Sequence, residues 1–150
     1  NGDASALRDK AAVFKDNGHA YLLVCEGQIR FDDARDAAKS AGGHLATLNS
    51  RAENDFVGVL VVQSKSQRPE CWNSHSGPWL GAERRLGSWT WVTGEPWVAA
   101  DAIWYPGQPD NGNGNGQEDV LQAFTLNGGL AWNDASRDIT VAGYVVEWDK

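Results

Sequence analysis

Three short segments concentrate oxygen-bearing side chains: Gln108-Pro109-Asp110, Glu118-Asp119 and Asn133-Asp134. Carboxylates and amide carbonyls are hard ligands, and a calcium ion takes about six to eight such oxygens, often from irregular backbone. Gln108, Asp110, Glu118, Asn133 and Asp134 each offer one side-chain oxygen, and the main-chain carbonyl of Asp134 offers another. Water or ligand hydroxyls would complete the shell. Asp110, Glu118 and Asp134 set three negative charges against a divalent ion. Without a cation these charges repel one another, so the loop is expected to be looser in its metal-free form. Zinc fits poorly, because no His or Cys lies in these segments. The plainer alternative is that long loops collect Asn, Asp and Gly simply as turn formers. Spacing alone does not separate the two.

The same carboxylates do not read as a glycosidase pair, since nothing marks one of them as a raised-pKa acid. His19, His44 and His75 lie away from these segments and have no Ser or Cys motif beside them, so catalysis is not expected. The net charge of −7, with no basic stripe, argues against a nucleic-acid partner. No apolar run is long enough to span a bilayer. The chain starts at Asn1 with neither initiator Met nor signal peptide, which is expected of a processed product or a piece of something larger. Cys25 and Cys71 are too few and too far apart for a thiolate zinc site. They either form one disulfide or remain free thiols, and sequence supplies no geometry to decide. Eight tryptophans fit a dense core or a surface that stacks on sugar rings.

The elements that must position these residues follow from periodicity. The length of 150 residues suits one domain over 1–150, with a core over about 19–148 and a short N-terminal extension over 1–18. A weak helix is expected around Ala6–Phe14, broken at Asp16-Asn17-Gly18. Ala20–Cys25 reads as a strand. Phe31–Ala41 reads as a helix, with Phe31, Ala34, Ala37, Ala38 and Ala41 on one face and Gly42-Gly43 ending it. His44–Leu48 is a second short strand. Ser50-Arg51-Ala52-Glu53 is a capping box opening a helix to about Val62, with Phe56, Val59, Leu60 and Gln63 as its apolar stripe. Ser64–Pro78 reads as a surface loop. Trp79–Ala82 and Ser88–Val92 read as strands joined by a turn at Arg84–Gly87. Thr93–Gln117 is a long Gly-, Pro- and Asn-rich loop, locally low in complexity over Gly112–Gly116, and such a loop is usually functional or disordered. Strands are expected at Val120–Phe124, Leu130–Trp132 and Tyr144–Trp148. The order gives an α+β fold with helices flanking antiparallel sheet.

Several motifs in this order resemble the C-type lectin family. Gly43-His44-Leu45-Ala46-Thr47-Leu48 is similar to the segment after the family's first helix, and Ser50–Phe56 to the start of its second. Trp79-Leu80-Gly81-Ala82 resembles the family's "WIGL" strand, followed by Trp89-Thr90-Trp91-Val92-Thr93-Gly94. Trp132-Asn133-Asp134 resembles its "WND" motif, and Gly143–Glu147 its closing strand. The resemblance covers about His19–Glu147 and implies a C-type lectin-like fold of two helices flanking antiparallel sheets, with a long calcium-binding loop.

The resemblance also implies an activity: calcium-dependent carbohydrate binding at the cell surface or outside the cell. It places the sugar motif at Gln108-Pro109-Asp110, in the form associated with galactose and N-acetylgalactosamine, and carries over Glu118, Asn133 and Asp134 as further calcium ligands. Gln108, Asp110, Glu118 and Asn133 would then also meet sugar hydroxyls. Galactose-binding members usually place a Trp after this motif; here Asn111 and glycines follow, so Trp104 or Tyr105, or Trp97, would have to supply a stacking ring. The family's four usual cysteines are replaced by Ala38, Val120, Arg137 and Val146, which resembles microbial or divergent members more than vertebrate ones. A Cys25–Cys71 bridge would tie the first strand to the Ser64–Pro78 loop. Arg84 stands where an auxiliary calcium site needs an acid, which leaves Asp119 a support residue. A single shallow site implies weak binding and several copies for avidity. The rival readings are a protein-interaction or adhesion module and calcium-dependent ice binding.

Overall fold

The computed structural model describes residues 3–114 and 117–150. The low-complexity run over Gly112–Gly116 therefore has Asn115 and Gly116 outside the described residues. In chain order the elements are α1 (Asp3–Arg8), β1 (Ala12–Val13), β2 (Ala20–Arg30), α2 (Phe31–Ser40), β3 (His44–Leu45), α3 (Arg51–Gln67), β4 (Trp79–Arg85), β5 (Ser88–Trp91), α4 (Asn111–Gly114), β6 (Val120–Leu126), β7 (Gly129–Ala135) and β8 (Thr140–Trp148). The strands form one sheet in the order β1-β2-β8-β4-β6-β7, with β3 added beside β8 and β5 beside β4. Every pairing is antiparallel except β4 with β8, joined through Trp79 and Tyr144. This is the expected α+β arrangement.

The local reasons are visible in the residues. In α2, Phe31, Ala34 and Ala38 face the core, Asp32 and Asp33 sit in the first turn and Lys39 in the last, which complements the helix dipole. Ser50 caps α3 by accepting from the Glu53 N–H at 3.0 Å. The Glu53 carboxylate does not return to Ser50; it accepts from the Asn49 N–H at 2.8 Å and from the Tyr21 hydroxyl.

Several expectations need correction. The helix expected over Ala6–Phe14 is shorter and earlier, because the free edge of β2 pairs with Ala12 and Val13. The strand expected over His44–Leu48 stops at Leu45, beyond which the chain passes from β8 to β4: Ala46 donates to Val145 and accepts from Gly81. Helix α3 continues to Gln67, and Pro69 then starts a single 3-10 turn through Cys71, so the Ser64–Pro78 segment is only partly loop. The buried face of α3 is Asn54, Val57, Gly58, Val61 and Ser64, while Val59 is 54% exposed. Phe56 and Leu60 lie only on its flank. Polar residues hide this stripe: Asn54 donates to the Leu130 carbonyl at 3.1 Å and accepts from the Trp132 indole at 2.8 Å.

Cys25 and Cys71 form a disulfide, which settles the alternative left open by sequence. Where the resemblance expects other cysteines, Ala38, Val120 and Val146 are core residues. Arg137 instead pairs with Asp32 and with Glu83, the latter at 2.7 Å, so ion pairs tie the β7–β8 link to α2 and β4.

The core has two apolar clusters, one under α3 around Leu80, Leu121 and Trp132, the other under α2 around Phe31, Trp79 and Val146. They meet at β4, where the backbone after β3 approaches closely. The Gly81 N–H donates to the Ala46 carbonyl at 2.8 Å, and a Cβ on Gly81 would lie 2.4 Å from the Leu45 carbonyl oxygen. Gly81→Ala is therefore expected to melt several degrees lower than the parent. Overpacking costs about 1–3 kcal/mol, and each kcal/mol moves Tm by roughly 2–4 °C at this chain size. Unchanged thermal unfolding would contradict the close approach.

Candidate functional site

The site is assembled at one end of the β6–β7 hairpin. Its register sets Leu121 opposite Asp134 and Gln122 opposite Asn133. Residues 103–105 run along the outer side of β7: Trp132 donates to the Ile103 carbonyl and Tyr105 to the Trp132 carbonyl, each at 2.8 Å. The chain then turns, with the Gln108 N–H donating to the Tyr105 carbonyl at 2.8 Å and the Gln108–Pro109 peptide cis. That turn brings Asp110 back against Asp134.

Asp134 is fully buried and organises the loop. Its Oδ1 accepts from the Asp110 N–H at 3.2 Å and its Oδ2 from the Asn111 N–H at 2.7 Å. The Gly112 N–H donates to Asp110 Oδ1 at 3.2 Å and to Glu118 Oε1 at 2.7 Å. Asn111 has a left-handed backbone (φ 52°), a conformation Asn tolerates better than most residues. Its side-chain oxygen accepts from the Glu118 N–H at 3.1 Å. Gln108 Oε1 accepts from the Asp110 N–H at 3.1 Å.

Carboxylate oxygens of Asp110, Glu118 and Asp134 lie within 4.8 Å of one another. Burial, a hydrogen bond to Asp110 and the charges of Asp134 and Asp110 push the Glu118 carboxyl up to about 7. One cation reaches the group from β4: Arg84 Nη2 donates to the Glu118 carbonyl and lies 3.4 Å from Asp134 Oδ2. An all-oxygen donor set with crowded charge fits a hard divalent cation.

Of the residues expected from sequence, Gln108, Asp110, Glu118 and Asp134 converge. Asn133 stands apart from these contacts: its amide NH₂ donates to Gln122 Oε1 at 2.7 Å, which leaves its side-chain carbonyl as the atom it would offer an ion. Trp104 and Tyr105 are turned to other partners. The Trp104 ring packs with Trp89, Trp97 and Trp132 at centroid distances of 5.2, 6.2 and 5.9 Å, and Tyr105 stands edge-on to Phe124 at 5.5 Å. Trp97 also belongs to this indole cluster. Asp119 makes a long ion pair with Arg84 at 3.7 Å. Sequence reasoning missed the part played by Asn111, although Asn-Gly directly after Asp110 signals a left-handed turn. It also missed the contact from Arg84, which no local pattern carries across 34 and 50 residues.

A second trio, His19, Glu147 and Asp149, also groups ligand atoms. His19 Nδ1 sits 2.5 Å from the buried Glu147 carboxylate, which further accepts from the Thr47 N–H at 2.9 Å. His44 bonds Asp149 at 2.9 Å and the Leu45 carbonyl at 2.8 Å. These groups serve each other as partners where β2, β3 and β8 meet.

Comparison with known proteins places this geometry. A family profile described as "Lectin C-type domain" matches residues 27–140. Pulmonary surfactant-associated protein D of Sus scrofa is 34% identical over 69% of this chain, and asialoglycoprotein receptor 2 of Mus musculus 33% over 78%. The chain spans only 24% and 35% of the length of these two relatives. The human scavenger receptor C-type lectin carbohydrate-recognition domain superposes with a TM-score of 0.68 at 26% identity, covering 93% of this chain and 96% of that one. The C-type lectin CEL-I from Cucumaria echinata gives 0.66 at 25% identity, covering 86% and 89%. Herring type II antifreeze protein shares the fold, with a TM-score of 0.65 at 23% identity over 89% and 93%. With most of its length matched by the profile and the fold shared across these structures, this chain belongs to the C-type lectin domain family.

Proposed function

We propose that this domain binds calcium in the loop around Asp134 and, through it, a galactose- or N-acetylgalactosamine-type glycan. The observation that carries the reading is the convergence of Asp110, Glu118 and Asp134 within 4.8 Å, with Gln108 bonded to Asp110 beside them. Gln108, Asp110, Glu118 and Asp134 would hold the ion, with the Asn133 carbonyl as a further ligand. Bound there, calcium would supply open coordination positions for two neighbouring hydroxyls of one sugar ring. Each hydroxyl both donates and accepts. The Asp110 and Glu118 carboxylates accept from the hydroxyls, while the amide NH₂ of Gln108 donates to them. The Gln-Pro-Asp order of donor and acceptor supports the galactose class. Charge-assisted bonds of this kind fix orientation. The Cys25–Cys71 disulfide supports an oxidising, extracellular setting. No described helix is long and apolar enough to cross a membrane.

A second reading, a lectin-like module that binds a protein, draws support from the engaged rings of Trp104 and Tyr105, which leave their neighbours only by repacking. Glycan arrays with and without chelator separate the two. The parent protein is expected to bind galactose-type glycans only with calcium, and its tryptophan fluorescence to respond to calcium because Trp132 lies two residues from Asp134. Asp110→Ala should lose both signals. Galactose binding that persists in chelator or in Asp110→Ala would sink the reading. Thermal hysteresis without glycan binding would assign the loop to ice.

Proton binding supplies another test. Glu118 titrates in the folded, metal-free protein near 7, above its ordinary value of 4.5. Its protonated form is the one the fold favours. The resulting stabilisation is fully present below the ordinary value and is lost as pH rises through about 7. In chelator, Glu118→Gln, which imitates the protonated acid, should gain in Tm relative to the parent as pH rises from about 5 to about 8. Parallel curves across this window would show that Glu118 is not under this charge pressure.

A further inference from the structure

The three acids are expected from sequence to repel one another and loosen the loop when no ion is bound. The structure already holds a cation among them. Arg84 lies on β4 with its side chain 16% exposed. Its Nη2 donates to the Glu118 carbonyl and sits 3.4 Å from Asp134 Oδ2, while Nε lies 3.7 Å from Asp119. Its backbone N–H donates to the Asp119 carbonyl at 2.7 Å. The guanidinium also lies over the Trp89 ring, 5.2 Å from the centroid, and Trp89 is its register partner across the β4–β5 hairpin. Strand register therefore fixes the ring, and the ring fixes the guanidinium.

We propose that Arg84 is a tethered cation that holds the acid loop in its binding shape before any ion arrives. It is a positioning residue, and the role rests on the calcium reading above in so far as the shape it holds is the calcium-binding one. Guanidinium stays charged throughout the accessible pH range, and its planar fork serves several oxygens at once. It thus compensates Asp134 under conditions where no metal is present. It also pins Glu118 by its main-chain oxygen, next to Asp119 whose carbonyl the Arg84 backbone N–H holds, so the acids on that segment start near their partners. An ion entering such a loop has less chain to order, which raises affinity by preorganisation. Mere competition for Asp134 would act with the opposite sign, since removing a competing charge tightens calcium binding.

Hydrogen exchange followed by mass spectrometry, in chelator and then with calcium, separates these roles. The reporters are the amides of Asn111, Gly112 and Glu118, which donate within the loop; amides of β8 serve as the folding control. Arg84→Met keeps an apolar stem against Trp89 and loses the charge, whereas Arg84→Lys keeps the charge and loses the fork. In chelator, Arg84→Met should exchange at these amides at least about tenfold faster than the parent, with Arg84→Lys between them and β8 unchanged. Calcium affinity measured by tryptophan fluorescence should fall about tenfold in Arg84→Met. Parent-like protection in Arg84→Met, or tighter calcium binding by it, overturns the proposal. If the parent itself shows no response to calcium, the calcium reading fails, and the chelator comparison alone still decides whether Arg84 holds the loop.

Discussion

A carboxylate with no exposed surface has to be compensated where it stands, because a buried unpaired charge is costly. Asp134 is that group, at 0% exposure at the end of β7. Its partners come from places far apart in the chain: the Asp110 and Asn111 backbone N–H groups from the long loop and Arg84 from β4. Meeting this demand folds the loop back onto the hairpin and brings Asp110 and Glu118 to the same point. The arrangement that gives the site its chemistry is thus the one that lets Asp134 be buried.

The supporting frame is organised around Trp132. Its indole donates to Asn54 on α3, its backbone bonds both Ile103 and Tyr105, and its ring meets Trp91, Trp97 and Trp104. One residue therefore locks helix, hairpin and loop together two positions before Asp134. The many tryptophans admit two explanations at the level of composition, core or sugar surface, and around Trp132 they are used as core. Of the rings offered for stacking on a ligand, Trp97 and Trp104 pack in this cluster and Tyr105 stands against Phe124.

Much of the fold is legible in the residues because its signals are local or ordered. The capping Ser50, the alanine face of α2 and the glycine pair after it need no long-range knowledge. The oxygen-bearing residues that converge, Gln108, Asp110, Glu118 and Asp134, are legible too, since they sit in turn-rich segments flanked by recognisable strands. Other features were hidden for physical reasons. The buried face of α3 carries Asn54, Gly58 and Ser64, so its stripe does not look apolar. The turn of Asn133 toward Gln122 depends on strand register, which a one-residue slip would reverse. Arg84 reads as a turn residue in sequence, and only the pairing of β4 with β6 brings it to the acids.

The pairing of β2 with β8 sets Ala20 opposite Trp148, so the first long strand starts beside the end of the last one. A unit whose outer strands begin and end side by side can be spliced into a loop of another polypeptide with the host's own path almost unbroken. The same geometry allows copies to be strung in series or hung from a common stalk, each attached at one corner. Wherever one site binds weakly, repeating such a unit adds strength with no change to its interior.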